Sequence, residues 1–204
     1  MSEQPPPTAP VPEGPERHPI RLVVNDDLER SRLTVFFRLL LVIPHALWLL
    51  LWGIVIELAA IVAWFATLFG GRCPAGLHDF IARYLTYMTH VSAYVFLIAD
   101  PYPSFSGRTG YPVDLEVDPP EPQNRWLTGL RLILAIPALL IANALQGVAQ
   151  IIAILGWFVC LATGRMPRGM RDLSAYCLRY QAQAYGYVLL LTSRYPSFSG
   201  SPVS

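Results

Sequence analysis

The chain has 204 residues, of which 53% are hydrophobic and 14% are charged, and its mean hydropathy is +0.40. Soluble domains carry about 25% charged residues, so this composition indicates exposure to lipid. The net charge of +1 gives no reason to expect nucleic acid as a partner. The three cysteines, Cys73, Cys160 and Cys177, lack CxxC spacing, which is typical of reduced thiols that fill small apolar spaces.

The chain begins with a proline-rich tail. Residues 1–17 contain six prolines and almost no bulky apolar side chain. They cannot bury enough surface to offset the entropy cost of ordering, so we predict that they are disordered. A secretory signal would need a basic and then an apolar run at this place, so we expect the first apolar helix to direct membrane insertion. Residues 201–204 form a second, shorter tail.

The rest of the chain consists of two copies of one unit. Residues 18–107 align with residues 111–200 at a constant shift of 93 positions and without a gap, which leaves 108–110 as a linker. About a third of the aligned positions are identical, which indicates a duplication that produced two membrane repeats. The identical positions include Arg38 and Arg131, Pro44 and Pro137, Asp79 and Asp172, and the sequence YPSFSG that ends each copy.

Each copy contains an apolar stretch too long for one comfortable membrane span. Residues 33–70 would form a helix of about 57 Å at about 1.5 Å per residue, whereas the hydrocarbon core of a bilayer is about 30 Å thick. We therefore predict a transmembrane helical hairpin in each copy, with Pro44 and Pro137 either kinking its first helix or breaking it into a re-entrant loop. The predicted helices cover 31–51, 54–70, 124–144 and 147–163, with turns near Gly53 and Gln146-Gly147.

Shorter elements flank each hairpin. An amphipathic helix is predicted over about residues 77–91, because apolar residues recur at helical spacing on one face, while the other face carries His78, Asp79, Arg83, Thr86 and His90. Such a helix is too polar to span, and it would lie at the interface or pack on the hairpin. Alternating and β-branched residues predict short strands at 20–25, 94–99, 113–118 and 187–192. The fold class is therefore a mainly α membrane protein with two tandem repeats, interfacial amphipathic helices and a small cytoplasmic antiparallel sheet. In that sheet the closing strand of a copy pairs with an opening strand.

The arginines predict how the chain lies in the membrane. All 15 basic residues are arginine, and with two spans per copy they all fall on one side, together with both termini. The positive-inside rule places that side in the cytoplasm, which gives a multi-pass protein of the bacterial cytoplasmic membrane. An even number of spans per copy also predicts parallel repeats, related by an axis along the membrane normal.

Several motifs carry a resemblance to a known family. The first copy contains HPIRLVV at 18–24, RLLLVIPH at 38–45, WFATLFGGRCPAGLHDF at 64–80 and SAYVFLIADPYPSFSG at 92–107, and the second contains YPVDLEV, RLILAIPA, WFVCLATGRMPRGMRDL and GYVLLLTSRYPSFSG, so the motifs extend over nearly all of 18–200. As a set, these motifs resemble the DUF4389 family of bacterial membrane proteins, in two tandem copies. The typical domain of that family has a histidine after Ile-Pro, where the second copy has Ala138. The resemblance implies a membrane protein and carries no activity or catalytic residues.

Charged residues near the ends of the apolar stretches form the first set of candidates. A buried arginine inside a span is costly and marks a functional hypothesis, so Arg38 and Arg131 would reach a lipid phosphate or a carboxylate, or extend to the headgroups. The GRxPxG turns suggest either a turn lock, with a downstream aspartate as cap or ion-pair partner, or a site for anionic lipid. The candidates for these lipid-headgroup or turn roles are Arg38, Arg72, Asp79, Arg131, Arg165 and Asp172.

Polar side chains inside the apolar runs form the second set. Glu57 is the only acid in such a run, and its counterpart is Gln150. The two would form a proton or cation site on the axis between the copies, or Glu57 would lie hydrated at an interface. Three roles are open for His45, which would titrate, ligate a metal or pack as an ordinary side chain. Because the histidines of the chain show no metal-ligand spacing, we predict neither a metal nor a cofactor. The expected interface anchors are Tyr102, Phe105, Tyr195 and Phe198.

The sequence leaves three functions open. It contains no Walker A, GxGxxG, HExxH or GxSxG motif, so we favour a non-enzymatic membrane scaffold or accessory subunit with anionic-lipid contacts. Its expected partners are membrane lipids, and other membrane proteins or further copies of the chain, without nucleic acid. The alternative is a small transporter or channel that acts as an oligomer, with Glu57, Gln150 and Arg38 along its path. A lipid-handling enzyme using Arg72 and Asp79 ranks last because it lacks a nucleophile and a metal set.

Overall fold

The computed structural model describes residues 18–106 and 110–199. Its elements, in chain order, are β1 (Ile20–Val24), α1 (Arg32–Gly70), α2 (Ala75–Val95), β2 (Val113–Val117), α3 (Arg125–Thr163) and α4 (Arg168–Val188). The structure is therefore mainly helical and has a small two-stranded antiparallel sheet. The predictions for the two tails, and most of the linker, lie outside the described residues.

The apolar stretch of each copy forms one long helix, so the predicted hairpins are wrong. α1 and α3 contain 39 residues each and continue through Pro44 and Pro137, without a turn near Gly53 or Gly147 and without a re-entrant break. A turn there would leave several backbone N–H and C=O groups on each side without partners. The residues around Gly53 are apolar and offer no side chain that would satisfy these groups, whereas a continuous helix bonds them internally.

α2 and α4 end in matching turns where the sequence predicts strands. Each helix has 21 residues and extends into the predicted closing strand, so the strands expected at 94–99 and 187–192 do not form. After each helix, Leu97 or Leu190 adopts a positive φ of 59° or 65°. The next amide then donates to a carbonyl five residues earlier at 2.9 Å in both copies. This Schellman geometry usually carries glycine, and burial of both leucine side chains in the core holds the strained backbone.

The two opening strands pair with each other. β1 and β2 are antiparallel, with Leu22 directly opposite Leu115. The inward face packs on the core, whereas on the outward face Arg21 binds the carboxylates of Glu116 and Asp118, each at 3.1 Å. The prediction of opening strands and a small antiparallel sheet is confirmed. The predicted pairing with a closing strand is wrong, because the closing segments are helix and turn.

Reciprocal contacts between the copies define a local twofold axis. Trp64 Nε1 donates to Thr128 O at 2.9 Å, and Trp157 Nε1 donates to Val35 O at 2.9 Å. These are the same contact with the roles of the two copies exchanged, since each residue and its equivalent are 93 positions apart. The start of α1 therefore meets the end of α3 and the reverse, so the two long helices are antiparallel. The axis passes through the central pair of the sheet, which joins two equivalent leucines.

The molecule has three layers along this axis. The sheet packs on α2 and α4, these two helices pack on α1 and α3, and within the described residues no comparable contact joins the sheet to a long helix. α2 and α4 are therefore internal. His78, Thr86 and His90, which the helical pattern assigns to a polar outer face, are buried, so these helices do not lie at an interface with a free polar face.

α1 and α3 form an outer layer with a broad apolar surface. α1 contacts the protein along one narrow stripe, and the residues on its other sides are apolar and exposed. Of the residues in the most apolar 18-residue stretch of each long helix, only 11% are buried in α1 and 22% in α3. By length and composition, both helices can cross a membrane.

Candidate functional site

Arg38 is buried inside the protein and holds the end of α2. Its guanidinium donates to Tyr94 O, to Ala99 O at 3.2 Å and to Asp100 Oδ1 at 2.8 Å. It also lies 4.3 Å from the centre of the Tyr94 ring. A cation at the last carbonyls of a helix satisfies groups that lack intrahelical partners and is favoured by the helix dipole. Arg38 therefore binds the protein's own backbone rather than extending to lipid headgroups.

Arg30 completes this group, which we call the first arginine centre (Asp26, Arg30, Arg38 and Asp100). Arg30 donates to Leu97 O and Ile98 O, at 3.0 and 2.8 Å from Nη2, and forms an ion pair of 2.6 Å with Asp26. Two arginines thus bind the carbonyls of the strained turn after α2, and each arginine pairs with one aspartate. The sequence pattern did not indicate Arg30. Its one local signal is the spacing of four residues to Asp26.

The second copy builds the equivalent group without a carboxylate. Arg131 donates to Tyr187 O at 2.9 Å, Thr192 O at 3.0 Å and Gln123 Oε1 at 2.7 Å. Gln123 takes the place of Arg30 and donates to Leu190 O at 2.9 Å. Arg131 and Gln123 are the second arginine centre. Both inner arginines also lie over the ring of the equivalent tyrosine, Tyr94 or Tyr187.

Exposed arginines lie at the ends of the two long helices. Because α1 and α3 are antiparallel, Arg32 at the start of α1 lies against Gly164, and Arg125 at the start of α3 lies against Gly71. Arg72 and Arg165, which follow these glycines, are also exposed. Each end of the long-helix pair therefore carries two arginines contributed by different copies.

The predicted partners of the turn arginines are different in the structure. Arg165 pairs with Glu29 at 3.2 Å, across the two copies. Asp172 pairs with Arg171, and Asp79 lies 3.7 Å from His78. Among the described residues no ion pair joins Arg72 to Asp79 or Arg165 to Asp172, and prolines rather than aspartates occupy the N-cap positions of α2 and α4.

His45 packs in an aromatic cluster, and the second copy keeps the aromatic rings of this cluster but lacks the histidine. His45 Nδ1 lies 2.6 Å from the hydroxyl of Tyr87, and its ring lies 4.5 Å from Tyr102 and 4.4 Å from Phe105. The predicted anchors of the YPSFSG segment therefore fold back onto α1 and α2. In the second copy Ala138 replaces the histidine, Phe198 stacks on Tyr180 at 4.8 Å, and Tyr195 packs against Tyr187 at 5.6 Å. All four anchor rings remain partly exposed.

Glu57 and Gln150 do not come together. Gln150 lines a groove beside Val42, and Val42 lies 15 positions from Glu57 along α1, which corresponds to about 22 Å. Glu57 is exposed and is therefore not part of a buried site on the twofold axis.

The family comparison agrees with the duplication. Residues 32–107 and 125–200 each match a domain of unknown function, DUF4389. The chain belongs to this family. The matched ranges begin at α1 and α3, so the opening strands lie outside them. No curated protein and no solved structure matches the chain.

Two concave regions border the first arginine centre. A polar cleft of about 710 Å³ is lined by Asp26, Asp27, Glu29 and Asp100 together with Arg30. The positions equivalent to these four acids are proline or serine in the second copy, so this cluster of acids is confined to the first copy. An apolar groove of about 450 Å³ lies between α1 and α3, with Arg38, Gln150 and Trp157 in its wall. Nowhere in the described residues are three or more His, Cys, Asp or Glu side chains placed so that they could hold one metal ion.

His90 links the first DUF4389 domain to the sheet and provides a pH test. Its Nε2 lies 3.1 Å from Asp114 Oδ1, and its ring lies 4.7 Å from that of Tyr111. Burial lowers the pKa of His90 below its ordinary value, although Asp114 opposes this shift. The folded protein thus binds fewer protons than the unfolded chain at mildly acidic pH, and stability is lost as the pH falls below about 6.5.

We expect the melting temperature to fall between pH 7.5 and 5.5, and the His90→Gln variant to show a smaller fall. Burial also lowers the pKa of His18, so part of the fall persists in this variant. Thermal unfolding at three pH values in the same detergent measures the difference. An unchanged slope in His90→Gln would show that this histidine does not carry the effect.

Proposed function

We propose that this protein is a non-enzymatic scaffold or accessory subunit embedded in a membrane and held there by anionic lipid. The observation that carries the proposal is the apolar outer surface of α1 and α3. An apolar helix in the core of a soluble protein would be mostly buried, whereas the most apolar stretches of these helices are largely exposed. Exposed apolar patches of this extent fit lipid or another membrane protein.

The buried polar groups support a structural role. In both arginine centres the guanidinium and amide groups bind backbone carbonyls of the same chain. Groups committed in this way hold the fold together and are not free to bind or activate a substrate. The protein would then serve its partners through its surface, which fits other membrane proteins or further copies of the chain.

The exposed arginines support anionic lipid as a contact. Arg32 and Arg165 lie at one end of the apolar layer, and Arg72 and Arg125 lie at the other. Guanidinium groups bind phosphate through two parallel hydrogen bonds, and basic residues near a membrane surface attract anionic lipid by about 1 kcal/mol each. We place the protein in the bacterial cytoplasmic membrane with the ends of its chain on the cytoplasmic side, where anionic lipids attract arginine.

Native mass spectrometry tests the lipid contact. Protein released from cardiolipin-containing membranes should retain bound anionic lipid, and the Arg72→Ala/Arg165→Ala variant should retain several-fold less. Arg83→Ala is the matched control, because Arg83 is an exposed arginine on α2 rather than at an end of a long helix. Equal retention in all three proteins would contradict the lipid contact. Release of the wild-type protein from membranes by alkaline carbonate would contradict membrane embedding itself.

A further inference from the structure

The structure limits how the long helices can lie in a bilayer. α1 and α3 are antiparallel and related by a twofold axis perpendicular to both. If they crossed the membrane, this axis would lie in the membrane plane, at mid-depth, as in inverted repeats. If they lay along the surface, the axis would be parallel to the membrane normal. The position of the sheet decides between these two cases, because the axis passes through it.

A spanning arrangement would place the sheet at the middle of the bilayer. The central strand pair lies on the axis, and its outward face carries the partly exposed side chains of Arg21, Glu116 and Asp118. Both strands are also edge strands, and within residues 18–106 and 110–199 no third strand pairs with their outer backbone groups. Lipid-exposed sheet edges do not occur in the hydrocarbon region, and charged groups there cost about 2.5 kcal/mol or more each.

The length of the helices argues against spanning independently. Each has 39 residues, which corresponds to about 58 Å. To fit a hydrocarbon core of about 30 Å, such a helix would need a tilt of about 60°, whereas membrane helices tilt by about 0–40°. A smaller tilt would leave apolar ends in water, and the residues near the ends, such as Leu33, Phe69 and Trp126, are large, apolar and exposed.

We propose that the protein is monotopic: α1 and α3 lie along the surface of one leaflet, with their apolar sides in the acyl region and the sheet on the aqueous side. This proposal rests on the proposed membrane embedding and specifies its geometry. The three layers then run from water to lipid in the order of sheet, α2 with α4, and α1 with α3. All four exposed arginines at the ends of the long helices lie at the headgroup level of the same leaflet.

The position of Glu57 fits this orientation. This acid is the only one within the two long helices. The hydroxyl of Tyr84 on α2 lies against Gly53 of α1, and Glu57 is one turn further along the same face of α1, so Glu57 lies on the side of α1 nearer to the middle layer. In one leaflet, that side is the shallow one, where a carboxylate reaches water.

Depth measurements along α1 test the proposal. The variants Leu33→Cys, Leu51→Cys and Phe69→Cys each carry a nitroxide label in proteoliposomes, and all three positions are exposed, so the label need not disturb packing. The native cysteines are buried and should not react. We expect the three labels at similar shallow depth by oxygen and nickel-chelate accessibility. A central label near mid-bilayer with both ends shallow would overturn the proposal.

Sidedness provides the second readout. Arg32→Cys and Arg72→Cys mark opposite ends of α1 and are both exposed. In vesicles with one protein orientation, a membrane-impermeant maleimide should label both from the same side. Labelling from opposite sides would overturn the monotopic geometry and leave membrane embedding intact. A different outcome would overturn embedding itself: the protein stays separate from the vesicles as a dimer, and its labels are accessible only to water-soluble reagents. A second copy of the chain would then cover the apolar layer.

Discussion

Replacement of Arg38 by alanine should lower the free energy of unfolding by about 3–5 kcal/mol, because it breaks the ion pair of a buried arginine with the half-buried Asp100 and removes the donor of two backbone carbonyls. The change leaves Tyr94 O, Ala99 O and Asp100 without their common donor. For a chain of about 200 residues, this corresponds to a fall in melting temperature of roughly 6–20 °C. Thermal unfolding in detergent, followed by circular dichroism, measures it.

The second arginine centre provides an internal comparison. Arg131→Ala also removes three hydrogen bonds but leaves no carboxylate of its centre unpaired, so we expect a large but smaller loss. Arg38→Lys should not restore the wild-type stability, because one ammonium group cannot reach both carbonyls and the carboxylate in the guanidinium geometry. Arg83→Ala, at an exposed site, should change stability by less than about 0.5 kcal/mol. If Arg38→Ala and Arg83→Ala had equal effects, the capping role would be wrong.

The second large effect concerns the apolar layer. Leu47 and Leu140 are equivalent residues of the two copies, and both are largely exposed on the long helices. Glutamate at both positions should leave the fold intact in detergent, since neither side chain is in the core. In a lipid environment each acidic group costs up to about 3 kcal/mol, so the partition of the double variant into vesicles should fall by roughly 10²- to 10⁴-fold.

Vesicle flotation measures this loss. Leu47→Ala/Leu140→Ala controls for the missing leucine side chains, and Ser104→Glu controls for an added charge at an exposed loop site. We expect both controls to float with the vesicles. Equal flotation of the glutamate variant and the wild type would mean that this surface does not contact lipid.

Periodicity and repetition predicted the elements that depend on local pattern. The duplication, the opening strands and the two long apolar stretches all follow from residue spacing. The hairpin at Gly53 was inferred from the length of the apolar stretch against bilayer thickness, which assumes that a long apolar helix must span. The closing strands fail for a similar reason: the run after Tyr94 has strand composition, but its backbone ends a helix and turns at Leu97.

The arginine centres show what the sequence could not predict. Arg38 is recognisable as a costly charge in an apolar run, but its partners lie 56 and more positions away at the end of another helix. Backbone carbonyls leave no residue-type signature. Gln123 replaces Arg30 in the second copy and still binds the equivalent turn, so even the alignment of the two copies does not indicate this shared role.

Polarised infrared dichroism of the protein in oriented bilayers, with isotope-labelled carbonyls in α1, tests the monotopic geometry most directly. The three-layer structure with its twofold axis predicts that the labelled carbonyls lie close to the membrane plane. Labelled carbonyls aligned near the membrane normal would show that the long helices span the bilayer, and would contradict the monotopic geometry.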